Sequence, residues 1–288
     1  MPERRRVHYA PGKAFKANPR NTTTEDTKRA LTAKGQSTVP GHSSTELGMT
    51  DFGLQGIGYI LGGGFPTNSV YLMTGDPGTF YPTFAQQALF NAVKKGIKVV
   101  YYTSEASSED IMQDMLTFKW DISDKIDDGS WVFTRVVPPQ LKTIANNTPE
   151  DPREQRIDLP PNSLSVLQED FIERLNEGRW SALSLSYLMK SYPTDDVTDL
   201  VMFWVNAAHK LGGVHFILLP KGIHDDSEIA YLKSLVDGVL SFKFAQGFEQ
   251  AEGEIDIEKL RRVIPRVKTI RHAVQDDGLS IETSARVG

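Results

Sequence analysis

Short apolar runs alternate with amphipathic runs over much of this chain, and that alternation restricts the possible folds more than any other feature. Apolar residues recur at helical spacing from Phe84 to Val93, and Ser107 followed three positions later by Asp110 is typical of a helix N-terminus. The apolar runs predict strands at 69–74, 97–103, 131–137, 180–188 and 214–219, and further helices are predicted at 164–177 and 196–211. Strands that alternate with helices are joined by right-handed crossovers, so they pair in parallel and are covered on both faces. The sequence therefore predicts a three-layer α/β domain with a mainly parallel central sheet.

Two parts of the domain depart from this alternation. The 26 residues from 138 to 163 contain six prolines and many charges, which predicts an inserted surface loop. Towards the C-terminus, 235–244 and 263–270 are apolar runs without a helix between them, which predicts antiparallel strands at the far edge of the sheet. We expect a domain over 49–288 that carries one inserted loop and an antiparallel C-terminal edge.

The first 48 residues differ in composition from the rest of the chain. Residues 1–40 hold nine Lys/Arg and three Asp/Glu, a net charge of +6, so the remaining residues hold 23 Lys/Arg and 34 Asp/Glu, a net charge of −11. Because the segment is also rich in Thr, Ser, Pro and Gly, we predict a flexible basic arm at 1–48. The chain has no cysteine and no apolar run near the ~20 residues that span a bilayer, so we expect a cytoplasmic protein without a membrane partner.

A Gly/Pro turn lies where the first strand is predicted to pass into the first long helix. It comprises Gly75, Asp76, Pro77, Gly78, Thr79, Phe80, Tyr81, Pro82 and Thr83. A phosphate-binding P-loop, G-x-x-x-x-G-K-[ST], occupies such a strand-to-helix turn. Gly75 matches its first glycine, whereas Phe80, Tyr81 and Pro82 stand at its second glycine, its lysine and its hydroxyl residue. The turn is either a phosphate site without its functional residues or a turn that only looks like one.

The order of several short phrases along the chain separates these two interpretations. Those phrases are G-L-Q-G-I-G-Y-I-L-G-G-G-F-P at 53–66, K-V-V-Y-Y-T-S-E at 98–105, F-K-W-D-I at 118–122 and V-D-G-V-L at 236–240. With them, residues 53–281 resemble the KaiC-like branch of the RecA superfamily of P-loop ATPases. The resemblance implies a RecA-like three-layer fold, and it favours the phosphate site that has lost its functional residues.

The resemblance also implies that the Walker A motif is degenerate. The family's lysine falls on Tyr81, whose phenol cannot neutralise phosphate charge as an ammonium does. Its magnesium-binding hydroxyl falls on Pro82, which has neither a side-chain oxygen nor a backbone N–H. Its second glycine falls on Phe80, so bulk is added where backbone N–H groups would face the phosphates.

The other catalytic positions of the family are similarly altered. The family carries two successive glutamates after its second strand, whereas Glu105 is followed here by Ala106. The strand at 180–187 places Leu183 or Ser184 where the family has the Walker B aspartate. The resemblance therefore implies no catalytic residue beyond a vestigial Glu105, no metal, and no cofactor, with ATP as the alternative. The family's basic pair at the subunit interface is matched imperfectly by Lys268 and Arg271, which stand one residue too far apart.

Three functions follow from this resemblance and these departures. Phosphoryl transfer depends on positioning and electrostatic stabilisation, so we expect a pseudo-ATPase rather than an enzyme. It would act as a regulatory or scaffolding subunit that pairs with itself or with an active paralogue. Signal transduction is one process in which such a subunit could act. The first alternative is an unconventional ATP-binding protein or weak ATPase. The second is a DNA-binding recombinase paralogue that uses Arg4, Arg5 and Arg6, which the acidic body disfavours.

The remaining chemistry-bearing residues predict structural roles. The six histidines show no spacing typical of a metal site. His224-Asp225-Asp226 follows a predicted strand, and we interpret it as a helix cap. Trp204 lies between Phe203 and Val205 in a predicted helix, and we expect it in the core.

Overall fold

The computed structural model of the protein describes residues 48–54, 56–148, 151–245 and 252–282. Backbone contacts divide the chain into Met1–Thr45 and Glu46–Gly288, and all described residues belong to the second unit. The predicted basic arm, with Arg4, Arg5 and Arg6, lies outside the described residues except for Gly48.

The described residues form strands and helices in alternation. The strands are β1 (Met49–Thr50), β2 (Phe65–Pro66), β3 (Ser69–Gly75), β4 (Val99–Thr103), β5 (Trp131–Val137), β6 (Glu154–Asp158), β7 (Trp180–Ser184), β8 (Val214–Pro220), β9 (Gly238–Phe244), β10 (Glu252–Leu260), β11 (Thr269–Gln275) and β12 (Gly278–Ile281). The helices are α1 (Ile57–Leu61), α2 (Tyr81–Lys94), α3 (Ser108–Thr117), α4 (Ser123–Asp127), α5 (Lys142–Asn147), α6 (Ser165–Asn176), α7 (Ser186–Ser191), α8 (Thr194–Leu211) and α9 (Asp226–Leu235), with a 3-10 turn at Pro139–Leu141. None of the helices in the described residues is long and apolar enough to cross a membrane.

The central sheet runs in the order β12-β11-β10-β9-β3-β8-β7-β4-β5-β6. The strands from β9 to β6 pair in parallel, whereas β10, β11 and β12 add antiparallel strands beyond β9. The short strands β1 and β2 form a separate antiparallel pair. This arrangement confirms the predicted α/β fold with a mainly parallel sheet and an antiparallel C-terminal edge.

Two apolar cores lie on opposite faces of the sheet. Side chains alternate between faces along a strand, so Tyr71 and Met73 of β3 join the core under α2 and α3, and Val70 and Leu72 join the core under α6 and α8. Trp204 is fully buried in the second core and stacks on Phe171, with ring centroids 3.8 Å apart. Its predicted core position is confirmed, and the two cores give the domain its three layers.

The prediction of an irregular loop over 138–163 is wrong. This segment contains the 3-10 turn, α5 and β6, and β6 pairs in parallel with β5 at the edge of the sheet. An edge strand has one neighbour and one exposed side, so it tolerates charged residues. Only Ile157 of β6 is buried, and the strand Glu154–Asp158 therefore has the composition of a loop.

Two other predicted boundaries need correction. The run at 180–188 is a strand only to Ser184. Its apolar character continues beyond the strand because Leu185, which immediately precedes α7, and Leu188, which lies within α7, are both buried. The run at 235–244 contains β9, which pairs in parallel with β3 because α9 provides the crossover before it. The antiparallel edge is built instead by β10, β11 and β12, and only the end of the predicted 263–270 run belongs to β11.

Candidate functional site

Four parallel strands end side by side on one side of the sheet. We call this the carboxyl edge, formed by the last residues of β3, β4, β7 and β8, which are Gly75, Thr103, Ser184 and Pro220. Gly75 is in register with Pro220, and the N–H of Lys221 donates to the Gly75 carbonyl at 3.0 Å. Ligands of open α/β sheets bind beyond the carboxyl ends of the strands. The carboxyl edge is therefore where a nucleotide site of this fold would lie.

The Gly75 loop, residues 75–81, joins β3 to α2 in a tight turn. Both the N–H and the hydroxyl of Thr79 donate to the Asp76 carbonyl, at 3.1 and 2.7 Å. Phe80 caps α2 with φ 62° and ψ 18°, which is left-handed backbone that favours glycine. A residue with a Cβ adopts it at a cost of about 1–2 kcal/mol. The backbone at Phe80 thus has a conformation that favours glycine, the residue that the resemblance places there.

Side chains fill the space against the first glycine of this loop. A Cβ placed on Gly75 would lie 2.7 Å from Cδ1 of Tyr81 and 3.1 Å from Cβ of Phe242, and closer still to the hydroxyl of Thr79. The rings of Tyr81 and Phe242 have centroids 6.4 Å apart. The tip of the loop at Asp76, Pro77 and Gly78 is exposed, so the packing is confined to its base.

Tyr81 supplies no positive charge to the site. Burial raises the pKa of Tyr81 to about 12, and the negative charge of Glu105 acts in the same direction. The phenol is therefore neutral at pH 7, and its ring is half-buried at the start of α2. Pro82 and Thr83 follow it in the first turn of the helix, where a missing N–H costs little.

Glu105 is hydrogen-bonded to Ser184, one of the two residues that the resemblance places at the Walker B position. The Ser184 hydroxyl donates to Oε2 of Glu105 at 2.6 Å across the ends of β7 and β4. β7 ends at Ser184 and contains no carboxylate. Among the residues that the structure describes, no three His, Asp or Glu side chains are grouped to hold a metal ion. Glu105 thus contacts a neutral hydroxyl at the end of β7.

Sequence reasoning missed two polar features of the carboxyl edge. Nε2 of His224 lies 2.8 Å from the hydroxyl of Ser186, a pair that no local motif reveals because 38 positions separate the two residues. Nζ of Lys221 lies 3.5 Å from the carbonyl of Phe242, next to the base of the Gly75 loop. The predicted helix cap is confirmed, since the Asp225 carboxylate accepts the N–H of Ser227 at the start of α9.

The structure places Lys268 and Arg271 away from the Gly75 loop. Arg271 lies on β11, which β10 and β9 separate from β3, and its Nε is 3.5 Å from Oε1 of Glu254. Lys268 immediately precedes β11, and both basic side chains are exposed. Their role at a subunit interface stays a prediction.

Comparison with known proteins agrees with this geometry. The family described as "ATPase: KaiC" matches residues 50–286. A UPF0273 protein of Pyrococcus horikoshii is 39% identical over 70 residues, which cover 24% of this chain and 28% of that protein. The circadian clock oscillator protein KaiC of Acaryochloris marina is 24% identical over 236 residues, covering 79% of this chain and 42% of that protein. The circadian clock protein KaiC3 of a Synechocystis strain is 30% identical over 86 residues, covering 30% of this chain and 17% of that protein.

The alignments span less than half of the length of each of these three relatives. The family match, in contrast, extends from β1 past β12 and so includes the whole sheet and the Gly75 loop. On the strength of that match and of the fold that carries it, this chain belongs to the KaiC ATPase family.

Proposed function

We propose that this chain is a catalytically inactive member of its family that acts as a regulatory or scaffolding subunit. The observation that carries the proposal is the packing at the base of the Gly75 loop, where Tyr81 lies against Gly75 in place of a P-loop lysine. A phosphate group removed from water needs cationic or N–H partners. A neutral phenol with a raised pKa offers no such charge.

The rest of the carboxyl edge supports the loss of hydrolysis. Phosphoryl transfer requires a metal held by a hydroxyl and a carboxylate, and a group that orients the attacking water. The resemblance implies Pro82 at one metal-binding position and Leu183 or Ser184 at the other. Glu105 accepts a hydrogen bond from Ser184 at 2.6 Å, which engages one of its two oxygens. The site therefore has few groups with which to lower the barrier to hydrolysis.

A chain that keeps the family's fold but does not bind nucleotide would act through contacts of its surface with other proteins. Two of the relatives have names that assign them to a circadian clock, which is a regulatory system. We propose by analogy that this chain acts in cytoplasmic signal transduction, through association with itself or with an active paralogue. The predicted arm at 1–48 and the pair Lys268 and Arg271 are the proposed contact regions.

Calorimetry with Mg-ATP tests the proposal directly. The unmodified full chain should bind Mg-ATP weakly or not at all, and should not hydrolyse it. The combined variant Phe80→Gly, Tyr81→Lys and Pro82→Thr restores the motif, and it should gain binding without turnover because Ala106 and Ser184 remain. Tyr81→Phe is the matched control, since it keeps the ring and should leave the absence of binding unchanged. Micromolar binding together with turnover by the unmodified chain would refute the proposal.

Lys221 favours one second candidate, an unconventional ATP-binding protein. Its ammonium lies near the base of the Gly75 loop, 3.5 Å from the Phe242 carbonyl, and could partly replace the charge of the P-loop lysine. If the unmodified chain binds Mg-ATP and Lys221→Met removes that binding, this second candidate replaces the first. The same substitution should have no effect on nucleotide binding if the chain is a pseudo-ATPase.

A further inference from the structure

A cleft of about 330 Å³ opens at the edge of the sheet, away from the Gly75 loop. It lies between the ends of β5 and β6 and the helix α5, and ligand pockets of small molecules start at roughly this size, about 300–1,000 Å³. Its lining residues are Arg135, Ala145, Thr148, Asp151, Pro152, Glu154 and Arg156. Except for Arg135, the lining residues belong to the segment 138–163, for which the sequence predicted only a surface loop.

Two arginines face this cleft from directly opposed positions. Arg135 of β5 is in register with Arg156 of β6, so their side chains leave the same face of the sheet. Like charges on opposed residues of neighbouring strands repel. Arg156 is held at this position, because its Nε lies 2.8 Å from Oδ1 of Asp158 and one terminal nitrogen donates to Oδ1 of Asn146 at 2.5 Å.

The guanidinium of Arg135, in contrast, has no hydrogen-bond or ion-pair partner among the residues that the structure describes. The side chain is half-buried, so its charge is only partly solvated. An arginine in such a position presents five N–H donors in a planar fork that matches the geometry of an oxyanion.

The acidic groups of the cleft are already engaged elsewhere. Asp151 accepts from Nε and a terminal nitrogen of Arg153 at 3.0 and 3.1 Å, and from the Ser108 hydroxyl at 2.7 Å. Oε1 of Glu154 accepts the backbone N–H of Ser108 at 2.5 Å. Both carboxylates are therefore directed at the start of α3 and at Arg153, and neither forms an ion pair with Arg135.

We propose that this cleft binds a small molecule bearing a phosphate or a comparable oxyanion, with Arg135 as the principal ligand. Such a ligand pairs the charge of Arg135, which no described side chain pairs. Arg135 also lines a neighbouring cleft of about 210 Å³ that includes Ser104, Glu105 and Tyr187. The oxyanion site thus adjoins the carboxyl edge, and it requires no P-loop chemistry.

Calorimetric titration of the full chain with inorganic pyrophosphate, without magnesium, tests the proposal. The unmodified protein should bind, and Arg135→Met should weaken binding at least tenfold, or about 1.4 kcal/mol. Arg266→Met is the matched control. Arg266 is exposed, contacts the ring of Tyr59, and is not one of the residues that line the cleft. Its affinity for pyrophosphate should equal that of the unmodified protein.

If Arg135→Met fails to fold, a second measurement tests whether pyrophosphate binds at Arg135. Modification by phenylglyoxal, followed by mass spectrometry, reports the accessibility of Arg135 in the unmodified protein, and pyrophosphate should protect it while leaving Arg266 reactive. Absence of binding at millimolar pyrophosphate would overturn the proposal. So would binding that neither depends on Arg135 nor protects it, since the anion would then occupy another site such as the Gly75 loop.

Discussion

Replacing Gly75 by alanine should destabilise the protein, because the added methyl group meets three side chains at the base of the Gly75 loop. The Cβ would lie 2.7 Å from Cδ1 of Tyr81 and 3.1 Å from Cβ of Phe242, and Thr79 is closer still. Gly75 is not among the glycines with positive φ, so alanine fits its backbone and the cost comes from contacts alone. Overpacking of this kind costs about 1–3 kcal/mol.

A double variant identifies how much of that cost Tyr81 causes. In a Tyr81→Ala background the contact at 2.7 Å is gone, so Gly75→Ala should cost about 1 kcal/mol less, which is within the range of coupling between touching residues. Urea denaturation followed by circular dichroism gives the free energies of all four proteins, and equal slopes show that the unfolding transition is unchanged.

Gly58→Ala is the matched control for this experiment. Gly58 lies in α1, and a Cβ there would meet nothing within 4 Å. Alanine is favoured over glycine in a helix by about 1 kcal/mol, so the control should be neutral or stabilising. A cost for Gly75→Ala below about 0.5 kcal/mol, or a cost that is the same in both backgrounds, would refute the conclusion that Tyr81 fills the base of the loop.

Three further predictions concern the body of the domain. Burial lowers the pKa of His215 from 6.5 to about 4, so the neutral imidazole stabilises the fold above pH 6.5. The free energy of unfolding should therefore fall by about 3 kcal/mol as the pH falls from 6.5 towards 4. In His215→Gln, the free energy of unfolding measured against pH should fall less steeply over this range than in the unmodified protein. Asp225→Ala removes the acceptor of the Ser227 N–H and should cost about 1 kcal/mol in denaturant unfolding, whereas Asp225→Asn should cost less. Trp204→Ala leaves a cavity beside Phe171 and should cost about 3–5 kcal/mol, with a fall in midpoint measured by calorimetry; an unchanged midpoint would contradict its core position.

The sequence predicted the parts of this fold whose residues carry a periodic signal. The stripe from Phe84 to Val93 faces one core, and the mostly apolar strands β3 and β8 are buried along nearly their whole length, so their patterns follow burial. The edge strand β6 could not be predicted in this way, because one buried residue in five gives no period. The parallel placement of β9 depends on α9, whose apolar face is short, with Ile229 and Leu232 as its buried residues.

The candidate site likewise has a part that could be predicted from the sequence and a part that could not. The residues of the Gly75 loop are consecutive, so their differences from the P-loop pattern could be found by comparing the sequence with that pattern. The contacts of Glu105 with Ser184 and of Arg135 with its cleft join residues from different strands, and no local pattern encodes which strands become neighbours. The order of strands in the sheet supplies that information, and it is a property of the packed chain.

The left-handed backbone at Phe80 has a consequence for how a complete P-loop motif could arise in this chain. Because φ is already 62° at this position, glycine in place of phenylalanine would need no backbone rearrangement and would relieve about 1–2 kcal/mol of strain, although the packing of the half-buried ring would be lost. A change from Tyr81 to lysine, in contrast, would remove a ring that packs against Gly75 and Phe242 and leave a cavity in its place. A lysine at position 81 would therefore cost packing at the base of the Gly75 loop, whereas a glycine at position 80 fits the backbone that is already there.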